Sequence, residues 1–162
     1  MRPFYGTGRA TFHVLRNKPD PRKSKEGDKR PNEGASTSTE GDSFITSSDR
    51  PRAGVLIRDE AAIPLWEHCN ADLAAIKVTI GEVGHSKELV MASVYMPYDS
   101  ADPPPSQTVM KLVDDCRRKG WELILGCDAN AYHTVSGSSG SNRRGRELLK
   151  YLAGSNLDIM NK

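Results

Sequence analysis

The run Leu89-Val90-Met91-Ala92-Ser93-Val94-Tyr95-Met96 is almost continuously apolar and stops at Pro97. A strand with one wet face alternates polar and apolar residues, whereas a run apolar on both sides requires cover on both faces. The chain must therefore fold in layers around this strand. The neighbouring segments supply further strands. Ala53-Gly54-Val55-Leu56-Ile57 is a short apolar run, and Ala74–Ile80 alternates at period two near its end before Gly81 and Gly84 break it. Leu123-Ile124-Leu125 and Leu157-Asp158-Ile159-Met160 read as two more.

Two helices separate these last strands from what precedes them. Pro103-Pro104-Pro105 stops any strand, and Ser106 stands where a cap is needed. Val109, Leu112, Val113 and Cys116 then fall at i, i+3, i+4 and i+7, which is one helical face. Arg117, Arg118 and Lys119 suit its C-terminal dipole, and Gly120 suits the residue after it. A second helix starts near Asn142 or Arg143, carries Leu148, Leu149 and Leu152 on one face, and ends at Gly154. The order is strand, strand, strand, helix, strand, helix, strand. This is an α/β class, a layered sandwich of mixed β-sheet flanked by helices.

Upstream of residue 50 the composition changes. From about Asn17 to Ser48 the only large apolar residues are Phe44 and Ile45. Such a tract buries too little surface to offset its ordering entropy. The expectation is a mostly disordered polar segment over 1–49, with one short strand at Thr11–Leu15, followed by a folded unit over 50–162. The chain as a whole is polar, with 36% hydrophobic residues and a mean hydropathy of −0.59. A net charge of +2 is no nucleic-acid signature, so any basic surface has to be local. No apolar run approaches the roughly 20 residues that span a bilayer, so no membrane partner is expected. Met1–Gly6 carries no apolar stretch of a secretory leader. Cys69, Cys116 and Cys127 are odd in number and form no C-x-x-C pair, which points to a reducing compartment, nuclear or cytoplasmic.

The chemistry-bearing segment is Leu123-Ile124-Leu125-Gly126-Cys127-Asp128-Ala129-Asn130-Ala131-Tyr132-His133. In α/β sheets ligands collect beyond the carboxyl ends of strands. Here a buried strand ends in Asp128, with Asn130 two positions on and His133 five positions on. A carboxylate can position or polarise water or bind Mg²⁺, and an amide NH₂ can donate to a phosphoryl oxygen without adding charge. The same spacing also suits an Asx turn followed by a surface histidine. Tyr95 ends another buried strand and emerges at the same edge if the two strands are parallel.

The pair Y-x-P and D-x-N-x-x-H resembles the endonuclease/exonuclease/phosphatase superfamily. From Leu125 to Asn161 the text LGCDANAYHTVSGSSGSNRRGRELLKYLAGSNLDIMN resembles one branch of it, the apurinic-endonuclease-like domain of jockey-type non-LTR retrotransposons, which precedes their reverse transcriptase. Asn142, Arg144, Gly145, Leu148, Ser155, Asn156 and Leu157 fit the branch's pattern, and Arg50–Ile57 resembles one of its strands. The resemblance covers roughly 50–162. It implies a Mg²⁺-dependent phosphodiesterase that nicks chromosomal DNA, with DNA as partner. Carried over by position, Tyr95 contacts the scissile phosphate, Asp128 orients or activates the attacking water, and Asn130 holds a phosphoryl oxygen. His133 belongs to the branch's motif without a defined role.

The departures carry as much weight. Upstream of Arg52 there is no early strand ending in Asn followed by a Q-E pair, whose Glu holds the metal in the family. The chain stops before the family's later Asp-Asn pair and its terminal S-D-H. The family's Trp in H-x-x-W-G is Ser136 here. The metal ligands are thus unknown, and the expected unit is a partial endonuclease domain, incomplete relative to the family and weak or inactive alone. A non-catalytic nucleic-acid-binding remnant and a sister phosphoesterase of the same superfamily remain alternatives. Arg143, Arg144 and Arg146 cluster at a helix start, where they oppose the dipole; they are candidates for phosphate contact, or else a solvated face. His13, His68 and His85 have no ligand spacing, Cys116 and Cys127 read as packed residues, and Trp66 and Trp121 as packing groups.

Overall fold

The computed structural model describes residues 12–17, 38–39, 42–57, 61–82 and 85–160. Two sheets form. The larger combines β1 (Phe12–Asn17), β5 (Ile63–Pro64), β6 (Leu73–Ile80), β7 (Lys87–Tyr95), β8 (Glu122–Asp128) and β9 (Leu157–Ile159) in the order β5-β6-β7-β8-β1-β9. The smaller is a meander of β2 (Ser38–Thr39), β3 (Asp42–Ile45) and β4 (Val55–Ile57). β7 and β8 pair in parallel, and the other ladders are antiparallel, so the large sheet is mixed as expected.

The helices are α1 (Gln107–Lys119), which returns the chain from β7 to the parallel β8, and α2 (Arg143–Gly154), which leads from β8 to β9. Both pack on one face of the large sheet. Val109, Leu112, Val113 and Cys116 of α1 are all buried there, against Val90, Ala92 and Val94 of β7 and Leu123, Leu125 and Cys127 of β8. Leu148 and Leu152 of α2 close the same core. A buried leucine in such a layer contributes about 1.5–3 kcal/mol over leaving it exposed. Gly120 ends α1 in the left-handed region at φ 68, a conformation that costs glycine nothing. Ser106 occupies the N-cap position, but its side chain makes no capping bond.

The opposite face is covered unevenly. β3 and β4 lie over β6, where Ile45, Ala62 and Ile76 form a second cluster with Val55, Ile57, Trp66 and Val78 around it. This cover does not extend fully over β7, and Met91 is 41% exposed. The expectation of a strand enclosed on both sides therefore holds for the helix face and only in part for the other.

Two further differences concern the N-terminal region. The tract expected to lack structure lies mostly outside the described residues, but within it Asp42–Ile45 is a strand. Its physical reason is the pair of apolar residues that the composition diluted: Ile45 is buried, and the Phe44 ring packs directly on Gly54 of the facing segment. The early strand is Phe12–Asn17, not an isolated piece: it enters the large sheet between β8 and β9, with Phe12 opposite Asp128 and Asn17 opposite Leu157. No described helix is long and apolar enough to cross a membrane.

Candidate active site

The parallel register of β7 and β8 sets the site. Tyr95 is the Cα partner of Asp128, so the two residues leave the sheet together at its carboxyl edge. The pairing continues one step past the strands, where the Met96 amide donates to the Asp128 carbonyl at 2.8 Å. Asp128 is half-buried, between the buried Cys127 and Ala129. Its Oδ1 accepts from the Asn130 amide at 3.3 Å, an Asx-type turn. Asn130 takes φ 46, the left-handed conformation that Asn tolerates better than most side chains. This turns its carboxamide back toward β7, and Nδ2 donates to the Met96 carbonyl at 3.1 Å. Tyr95, Asp128 and Asn130 thus share one sheet edge, and Asp128 and Asn130 are linked through the Met96 backbone. The turn reading of D-x-N is thus observed, and the turn leaves Asp128 and Asn130 at the sheet edge.

The start of α2 holds this loop from the other side. Asn142 is the N-cap: its Oδ1 accepts from the Gly145 amide at 2.6 Å and also from the Tyr132 amide at 3.1 Å. Its own amide donates to the Tyr132 carbonyl at 3.0 Å. Gly145 is required by that approach, because a Cβ there would collide with the Tyr132 carbonyl. Between them, Arg144 directs Nη2 at the carbonyls of Met96 and Ala129, each 3.5 Å away. Burial holds its guanidinium below the ordinary value, with Tyr98 and Asp99 nearby acting in the opposite sense and Arg143 in the same sense. The N-x-R-G text is therefore a local tie between a helix start and the D-x-N loop.

The three arginines separate. Arg143 and Arg146 are exposed or nearly so on the first turn of α2, whereas Arg144 is half-buried and turned onto the loop carbonyls. His133 does not join Asp128 in any hydrogen bond among the described residues. Its Nδ1 accepts from the Val135 amide at 3.2 Å and so caps the short 3-10 turn Thr134–Ser136. It faces a small apolar cleft with Ala131, Val135, Leu149 and Ile159. Ser136, where the family has Trp, is buried and donates its hydroxyl to the His133 carbonyl at 2.8 Å. Cys127 is no nucleophile: burial, and then the Asp128 charge, push its thiol up to about 12.

Sequence reasoning missed two residues at this edge. Arg52 forms a two-pronged ion pair with Asp72, Nε–Oδ1 at 2.6 Å and Nη2–Oδ2 at 2.8 Å. Its guanidinium carbon lies 5.2 Å from the centre of the Tyr95 ring. Asp72 immediately precedes β6, and its carbonyl accepts from the Tyr95 amide at 2.8 Å. No spacing rule could pair residues 20 positions apart on different segments.

Residues 89–162 match the model of the endonuclease-reverse transcriptase family. The fold is similar to a solved structure, the endonuclease domain of TRAS1, a telomere-specific non-LTR retrotransposon, with TM-score 0.59 and 23% identity over 76% of this chain and 57% of that one. The chain thus spans a little over half the length of that structure. No curated protein sequence matches the chain.

Proposed function

We propose that this chain, whose residues 89–162 carry the signature of the endonuclease-reverse transcriptase family, is part of the endonuclease unit of a non-LTR retroelement and engages a DNA phosphodiester at the carboxyl edge of β7 and β8. The observation that carries this is the register match of Tyr95 with Asp128, with Asn130 folded back onto the same edge. In this reading Tyr95 and Asn130 lie against the phosphate. A phosphoryl oxygen offers Asn130 Nδ2 a charged acceptor in exchange for the neutral Met96 carbonyl. Asp128 orients the water that attacks. Arg143 and Arg146, on the first turn of α2, meet the flanking backbone phosphates, which also relieves their opposition to the helix dipole. Arg144 lends charge from behind the loop.

The family reaction is Mg²⁺-dependent hydrolysis of DNA ahead of reverse transcription. Asp128 is a carboxylate at this edge that would hold such an ion together with substrate phosphate oxygens. Among the described residues no group of three or more His, Cys, Asp or Glu side chains comes together as a metal site. The chain by itself is proposed to be weak or inactive. The exposure of Arg143 and Arg146 on the first turn of α2 also suits a second reading, a nucleic-acid-binding unit without catalysis.

Both readings require DNA binding. Fluorescence anisotropy with a short labelled duplex should show binding that weakens with salt. The double variant Arg143→Gln/Arg146→Gln should lower the slope of log K against log salt by about two units, because each neutralised phosphate adds roughly 0.9 to that slope. Wild-type protein that fails to bind at low salt would sink both readings.

A further inference from the structure

We infer that Arg52 and Asp72 are a positioning pair for Tyr95, holding its phenol at the site edge, and that Arg52 does not itself contact phosphate. The inference rests on the reading of this edge as a phosphodiester site. Arg52 is tied at both ends. Its backbone amide donates to the Ala71 carbonyl at 2.7 Å, and its guanidinium is forked onto Asp72 at 2.6 and 2.8 Å. The two-pronged geometry fixes the plane of the guanidinium as well as its position. That plane carries charge over the Tyr95 ring at 5.2 Å, a cation–π distance.

Asp72 acts twice. Its carboxylate holds Arg52, and its carbonyl holds the Tyr95 amide at 2.8 Å. The tyrosine is thus gripped at its backbone by Asp72 and at its ring by Arg52, two residues from different segments that are joined by their own ion pair. Asp72 is itself set by its amide, which donates to Asn70 Oδ1 at 2.8 Å. Asp72 occupies two of the Arg52 donors and fixes the guanidinium plane beside the ring, an arrangement that suits ring orientation.

Lysine in place of arginine separates the two roles, since it keeps the charge and loses the fork. In the full chain, Arg52→Lys and Asp72→Asn should each weaken duplex binding about two- to fivefold, the size of one exposed cation–π interaction. Neither should alter the salt slope. In a Tyr95→Ala background Arg52→Lys should have no further effect, because its action passes through the ring; a merely structural role would give additive effects. NMR supplies a readout without DNA: the Tyr95 ring resonances should move in Arg52→Lys and Asp72→Asn alike. The inference is overturned if Arg52→Lys keeps wild-type affinity while Arg52→Ala lowers the salt slope by about one unit, which marks a phosphate contact. It is also overturned if the ring resonances stay put in both variants. If wild-type chain binds no DNA but the ring resonances move, the pair stands and the endonuclease reading falls.

Discussion

Gly145→Ala should destabilise the chain, although alanine is the better helix former. Gly145 is the third residue of α2, where propensity alone favours alanine by up to about 1 kcal/mol. The added Cβ would overlap the Tyr132 carbonyl, which is backbone and cannot rotate away. The helix start must then retreat from the D-x-N loop. Retreat loosens the Asn142 cap on Gly145, usually about 1 kcal/mol, and the Asn142–Tyr132 bonds, about 1 kcal/mol each. Residual strain from overpacking adds about 1 kcal/mol or more. Set against the propensity gain, the net loss is about 2–3 kcal/mol, or a fall in Tm of roughly 5–10 °C for a domain of this size. Gly154 is the internal control. It lies in the last turn of α2, and a Cβ there meets nothing within 4 Å. Gly154→Ala should be neutral or stabilising by up to about 1 kcal/mol. Thermal and urea unfolding of both variants test the sign. If Gly145→Ala were as stable as Gly154→Ala, the tie between α2 and the loop would be refuted.

The two helix caps give a second contrast. Asn142→Ala should cost about 1–2 kcal/mol in urea titrations and Ser106→Ala only a few tenths, because the Ser106 side chain makes no capping bond. His68 sets a pH dependence. It is fully buried, with Nε2 3.2 Å from Asp115, and burial lowers its pKa despite the pull of Glu67 and Asp115. The fold therefore keeps it neutral, and its contribution is complete above the ordinary value of about 6.5 and lost as pH falls below that. Wild type should lose stability relative to His68→Gln between pH values of about 6.5 and 5; a pH-independent difference would contradict this. Burial pushes the thiols of Cys116 and Cys127 up to about 12, so at mildly alkaline pH a thiol reagent should modify neither in the native state at a rate near that of the unfolded chain.

Much of this was legible in the sequence because the relevant signals are local. The α1 face, its glycine stop and the strand ending at Asp128 follow from periodicity and turn chemistry within a short stretch of chain. Tyr95 and Asp128 could be placed at one edge once their strands were taken as parallel. Other features were not legible, because they depend on pairing across the chain. β3 is held by two apolar residues in an otherwise polar tract, and the short-range composition outvoted them. β1 sits between β8 and β9, a position no local pattern encodes, and its antiparallel run puts Asn17 at the far end from Asp128. The turn that His133 Nδ1 caps was not part of its motif reading. Arg52 and Asp72 meet because the segment ahead of β4 hydrogen-bonds to Ala71, just ahead of β6.

The proposed phosphodiester-engaging edge around Tyr95, Asp128 and Asn130 is expected to be weak or inactive in hydrolysis by itself. Nicking of supercoiled plasmid by the purified chain with Mg²⁺, wild type beside Asp128→Ala, tests it most directly. Removing one member of a catalytic constellation commonly costs about 10³–10⁴ in rate. No nicking above background is therefore expected for either protein, with DNA binding kept or slightly firmer in Asp128→Ala, where a negative charge leaves the proposed phosphate path. Robust nicking by wild type, abolished in Asp128→Ala, would contradict it and show that the chain completes its site with groups of its own.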